Sequence, residues 1–389
     1  MSAAPRRNRG SVVLVGLAVA LVPASAVALD PSIPVRLTAA PPASVTAAER
    51  ITAEGTNRTS ATFPKEPEVG WQTRLAPPLV GELATDESGR LLVAHAGDRL
   101  TALDARGRVA FSLRTGGELA SGPLPLAGGR VLVVTRDGRV VRVSPNGTNE
   151  GEELLGWGEL EAAVVATPTH DGGAIIASGA HLARLGPRGT RGFRARLGDP
   201  VRAVFEWGSE TLAVGRSGNV FARAGWGEAR PFGSFEEPLR AVALADHRLF
   251  GVGRHALVEL DLVSRERRVL FADEANELRD FAALPSGKWR LVAPRATFID
   301  LDVTGRELAR WPQPGGENRE ISALVADREG RTLFSAVGSP LGYVTPQGDS
   351  GIVPGTGCPD PLRPTPLGDG LVVAACRSGI VRALSDKAR

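Results

Sequence analysis

Short apolar runs of four or five residues, punctuated by glycine and proline, recur along most of this chain, and spacing that would build an amphipathic helix is scarce. The pattern is clearest between residues 82 and 113. Glu82-Leu83-Ala84-Thr85-Asp86 reads as a strand, Ser88-Gly89 as a turn, and Leu91-Leu92-Val93-Ala94 as a second strand. Gly97-Asp98 turns the chain into Leu100-Thr101-Ala102-Leu103-Asp104, and Arg106-Gly107 turns it again into Val109 to Leu113. Four strands joined by three tight turns predict one antiparallel sheet.

That unit repeats. Its first turn recurs at Gly129, Gly172, Ser209, His247, Gly287, Gly330 and Asp369, so eight copies follow one another at about 40 residues, the size of a four-stranded propeller blade. Second strands recur with it, among them Val131-Leu132-Val133-Val134, Ala174-Ile175-Ile176-Ala177 and Leu371-Val372-Val373-Ala374. The eighth copy ends at Arg389 after its third strand, while Gly70 to Leu75 is a strand without a blade. Large aromatics mark the outer strands: Trp71, Phe111, Phe193, Phe232, Phe271 and Trp311. The expected fold is all-β: an eight-bladed β-propeller over residues 69–389 whose last blade is closed by the N-terminal strand, removing two exposed sheet edges. A seven-bladed ring is the alternative if one copy is miscounted.

The repeat resembles that of the quinoprotein-like propeller family, which carries an alanine and an aspartate, then Thr-Gly and a tryptophan. Ala102-Leu103-Asp104-Ala105-Arg106-Gly107 with Phe111, and Asp302-Val303-Thr304-Gly305-Arg306 with Trp311, carry the likeness. Quinone dehydrogenases of this kind hold PQQ over the channel with a tryptophan floor, calcium and a catalytic aspartate. Here the tryptophans mark outer strands or loops such as Gly156-Trp157-Gly158 and Gly225-Trp226-Gly227, so that constellation has no evident place. No cofactor is expected, and PQQ with calcium belongs only to the enzymatic alternative.

Upstream of the repeats, residues 1–28 have the parts of a secretory signal. Arg6, Arg7 and Arg9 precede an apolar run from Val12 to Val22, and Ala26-Val27-Ala28 offers a cleavage site. Reading the run on to Leu29 gives the alternative of a retained anchor. Residues 29–68, rich in Pro, Ala and Thr, read as a flexible tether. The formal charge of +3 falls to about zero without those three arginines, which removes the case for a nucleic-acid partner.

Cys358 and Cys376, the only two cysteines, fall on opposite arms of the last repeat's first hairpin. An exported location favours their pairing as a disulfide. His95, His170, His181, His247 and His255 share no spacing and read as turn residues rather than metal ligands. Asp86, Asp98 and Asp104 read as strand-end and turn residues. No nucleophile-elbow, phosphate-loop or zinc-protease sequence is present.

Two alignments by repeat position point to a binding face. An acid precedes the first strand in seven copies: Glu118, Glu159, Asp199, Glu237, Glu277, Glu320 and Asp360. Arginine follows in four, at Arg202, Arg240, Arg279 and Arg363, and the turn after the second strand adds Arg136, Arg216, Arg254, Arg295 and Arg377. Both loop classes emerge on one face, so the charges should ring one channel mouth. They either pair with one another across blades, or leave Arg202, Arg240 and Arg279 as a positive arc able to grip a carboxylate or an acidic peptide.

The expected protein is an exported, non-enzymatic binding or scaffold propeller, periplasmic or secreted, monomeric, with protein or peptide partners in the bacterial cell envelope. Membrane contact is expected only through an uncleaved N-terminal segment. A narrower resemblance is to the propeller subunit of the outer-membrane barrel-assembly machinery, usually a lipoprotein, whereas no cysteine stands near the cleavage site here. The alternative is a quinone-dependent oxidoreductase.

Overall fold

The computed structural model describes residues 56–386 apart from 161, 226, 294–296 and 313–319. The export segment, the tether up to residue 55, Trp226 and Arg295 lie outside the described residues. Four-stranded antiparallel sheets form eight blades, not seven. Blades 1 to 7 span residues 79–114, 124–154, 164–196, 201–234, 241–272, 280–312 and 321–352. Blade 8 combines residues 365–386 with the closing strand Pro67–Arg74. The first strand of each blade is innermost, and blade 8 returns to pack on blade 1.

Burial follows from this stacking. A middle strand has a neighbouring sheet on both sides and must be apolar on both faces. All five residues of Leu91–His95 and of Ala174–Ser178 are accordingly buried. An outer strand such as Val109–Arg114 instead alternates between partly buried and exposed positions along most of its length. Among the described residues the buried side chains form eight apolar clusters, one at each blade–blade interface. Leu212, Val220, Leu244 and Leu249 join blades 4 and 5, while Leu91, Leu83, Val373 and Val381 join blades 8 and 1. Each such side chain contributes roughly 1.5–3 kcal/mol by leaving water.

Ring closure occurs as the repeat count predicts. Pro67–Arg74 runs antiparallel to Ile380–Asp386, with Trp71 opposite Ala383. The strand starts slightly earlier than its apolar pattern suggests, and a proline at its first position sacrifices no interior ladder bond. The six aromatics of the spacing series all lie on outer strands. Trp71 lies over the turn between the third and fourth strands of blade 1 and donates from Nε1 to the Ala105 carbonyl at 2.8 Å. A Cβ on Gly107 would sit 2.6 Å from that ring, and one on Gly348 would sit 2.0 Å from the Trp311 ring. Glycine at these turns therefore admits the aromatic of the neighbouring blade.

Composition assigns residues 29–68 to the tether, but residues 56–66 are packed. The Thr56 carbonyl accepts from Ala283 N at 2.9 Å, and Asn57 and Thr59 exchange backbone bonds with Ala326 at 2.8 and 2.9 Å. Arg328 N donates to the Ala61 carbonyl and Gly370 N to that of Thr62. Phe63, 3% exposed, packs with Val325, Leu333, Val372 and Leu384 between blades 7 and 8. This strap passes from the inner strands of blades 6 and 7, beneath the first turns of blades 7 and 8, to the closing strand. Backbone hydrogen bonds, polar side-chain bonds such as that of Thr62 Oγ1 to Asp369, and one phenylalanine hold it, so its low apolar content hid it.

Cys358 and Cys376 form a disulfide with Cα atoms 5.8 Å apart and 18 residues of separation. Cys358 stands in the link entering blade 8 and bridges Ser339 of blade 7, so the bond ties that link to the turn after the second strand of blade 8. Replacing both cysteines with alanine should cost about 3 kcal/mol, the effect of releasing a loop of this length. Urea unfolding checks it: an unchanged midpoint would mean the bond adds no stability.

Candidate binding face

Backbone geometry explains why acids and arginines meet on one face. Where the chain links one blade to the next, Leu119, Leu160, Leu239 and Leu278 donate their N–H groups to Gly97, Arg136, Arg216 and Arg254 in turns of the preceding blade. Each leucine follows an acid directly or, at Leu239, by two residues. The links and the turns after the second strands therefore interlock around the channel mouth.

Most of the charges there are engaged. Arg136 Nε meets Glu118 at 2.6 Å, and Arg377 Nε meets Asp360 at 3.5 Å. Glu277 binds two arginines, Arg254 at 2.6 Å and Arg240 at 2.8 Å. Arg279 pairs with Glu320. Arg202 donates to the Arg240 carbonyl, and Arg240 donates likewise to Leu278 at 3.0 Å. Each thus ties its blade to the next. Arg240 and Arg279 of the positive arc are both in ion pairs, so neither is a free cation. Arg216 is exposed and, among the described residues, forms no ion pair.

Arg363 is placed differently from its repeat-mates. Its side chain is 12% exposed, with Nη1 donating to the Leu324 carbonyl at 2.8 Å and to Asn57 Oδ1 at 2.7 Å, and standing 3.5 Å from Asp280. Asn57 Nδ2 donates to Asp280 and to the Phe281 carbonyl. Asn57, fully buried, thus couples the strap to blades 6 and 8. It lay within the presumed tether, and only the nearby Ala61 and Phe63 hinted at burial.

Two of the other acids, Asp199 and Glu237, serve local structure. Asp199 accepts from Ser217 in the turn of blade 4. Burial lifts the Glu237 carboxyl above its usual value, against the pull of Arg267. The turn aspartates behave as expected: Asp86 accepts from Ser88 N and Arg90 N, and Asp104 from Arg106 N and Arg108 N.

Among the described residues no three of His, Cys, Asp and Glu converge to hold a cation. His95 is buried against Thr101, His170 pairs with Glu206 and His247 with Asp261. Trp71 and Trp311 lie on outer strands, and Trp289 is buried among blade 5 and 6 side chains. A rim cavity of about 280 Å³ lies between blades 6 and 7. It is bordered by the buried Arg290–Asp300 pair, whose two contacts are both 2.7 Å.

A family model described as outer membrane protein assembly factor BamB matches residues 60–262, slightly more than half of the chain. No curated protein sequence matches. Among solved structures, BamB from Moraxella catarrhalis is similar with a TM-score of 0.65 at 14% identity, covering 83% of this chain and 98% of that one. The computationally designed Ika8 protein gives 0.64 at 14% identity, with coverages of 80% and 97%. Virginiamycin B lyase from Staphylococcus aureus gives 0.52 at 10% identity, with coverages of 82% and 99%. At these identities the structures share a fold with the chain, and no more.

Two outcomes follow from the face. Hydrogen bonds from Arg240 and then Arg254 hold the Glu277 carboxyl down at about 2. Its contribution to stability is present above the unfolded value of about 4.3 and is lost as pH falls toward 2. A carboxyl NMR titration should find Glu277 near 2 and, in the Arg240→Gln/Arg254→Gln variant, near the ordinary value. Asn57→Ala should cost about 2 kcal/mol by stripping hydrogen bonds from a buried ionic cluster. Denaturant melts that match the parent would show that the strap is not held there.

Proposed function

Because the chain belongs to the family described as outer membrane protein assembly factor BamB, we propose that it is a non-enzymatic scaffold propeller of the bacterial cell envelope that holds protein partners. The family match carries this reading. Eight interlocked sheets make a rigid platform, and the links and turns at the channel mouth project from it with their side chains held by ion pairs. A rigid surface gives up little conformational entropy when it binds. Exposed arginines at the mouth, such as Arg216, would speed encounter with an acidic partner without dominating affinity.

A photoreactive residue placed at Arg216 in the full chain should crosslink to an envelope protein in intact cells. A control position on an exposed outer strand, Val109, should give a different or weaker pattern. Absence of adducts from Arg216 and from neighbouring link positions would overturn the binding face. Dye reduction on adding PQQ and calcium would overturn the non-enzymatic reading.

A further inference from the structure

The outer strand of blade 3, Arg191–Arg196, exposes three arginines. Arg191 pairs with Glu153 on the outer strand of blade 2. Among the described residues no carboxylate forms an ion pair with Arg194 or Arg196, in contrast to Arg240 and Arg279 at the mouth. Arg194 Nη2 donates to the Leu154 carbonyl, which anchors its guanidinium at the seam between blades 2 and 3. Glu159, the acid of the link at this seam, is exposed and pairs with neither.

Apolar surface adjoins these cations. Leu154 is 52% exposed. Trp157, partly buried in the same link, stacks on His181 with ring centroids 5.5 Å apart and 23° between planes. His181 is the cross-strand partner of Arg196, so the two side chains share a face. Arg194 stands two residues from Arg196 and points to that face as well. Two arginines without an ion pair among the described residues, a tryptophan and a leucine from two blades thus converge at the rim. Tryptophan and arginine are the residue types that most often dominate protein interfaces.

We propose that this patch docks an extended acidic segment of a partner protein, with carboxylates two residues apart on Arg194 and Arg196 and an aliphatic side chain on Leu154 and Trp157. The spacing argues for an extended chain, because residues i and i+2 of a strand lie about 7 Å apart on one side in both partners. The inference rests on the scaffold reading and names the chemistry of the partner.

Fluorescence anisotropy with a labelled ten-residue peptide carrying glutamate at alternate positions and leucine at one end tests it, on the full chain. The Arg194→Gln/Arg196→Gln variant should bind about tenfold more weakly, the effect of losing two surface ion pairs. Trp157→Ala should weaken binding too, and a lysine version of the peptide should not bind. Both arginines are exposed, so an unchanged melt should accompany the loss. Equal affinity in parent and double variant overturns the patch. So does binding lost instead in Arg240→Gln/Arg279→Gln, which moves the site to the mouth. No peptide binding at all overturns the patch while leaving the crosslinking test of the scaffold to stand by itself.

Discussion

Face-to-face packing of one sheet on the next is the constraint on which this molecule depends. Each blade is apolar on both faces, so no blade can bury its side chains alone or with a neighbour on one side only. A linear stack would leave a bare apolar sheet at each end, and a ring leaves none. The closing strand follows from that requirement: without Pro67–Arg74 the last blade would have three strands and present Ile380–Asp386 as an open edge. The aromatic of one outer strand over the glycine turn of the next blade is the same constraint at the rim.

The polar face is a product of the same geometry. Links must cross the turns of the preceding blade to reach the next first strand, and an acid in the link meets an arginine from a turn. Much of the charge so gathered is consumed in joining blades. Arg202 and Arg240 each reach a carbonyl of the following blade, and Glu277 is gripped by two arginines. Charge that is free to meet a partner is also found where an outer strand exceeds its neighbour's supply of carboxylates, as at Arg194 and Arg196.

What could be read from the chain, and what could not, divides along the source of the stabilising interaction. Blades, closure, outer-strand aromatics and the Cys358–Cys376 pair were legible because each leaves a periodic or compositional trace. The ring of link acids and turn arginines was legible as a set of positions. Its partnering was not, since Arg363 turns to Asn57 and Asp280 where Arg279 turns to Glu320. The strap left almost no trace, because Thr56, Thr59 and Ala61 are held through main-chain groups that every residue carries, and the side-chain bonds of Asn57 and Thr62 reach residues more than 200 positions away. The stacking of Trp157 on His181 joins residues 24 apart in different repeats, which no spacing within one repeat announces.

The strap also sets how the ring would respond to tension. A pull on the chain ahead of Thr56 does not reach the closing strand first. It arrives at hydrogen bonds to Ala283 and Ala326, on the inner strands of blades 6 and 7, and then at Phe63 wedged between blades 7 and 8. Those contacts are spread over three blades and must give way before Pro67–Arg74 can be unzipped from Ile380–Asp386. The seam where the two ends of the chain meet is thereby mechanically shielded, and force applied at the N-terminal side is delivered to the hub of the propeller instead of its rim.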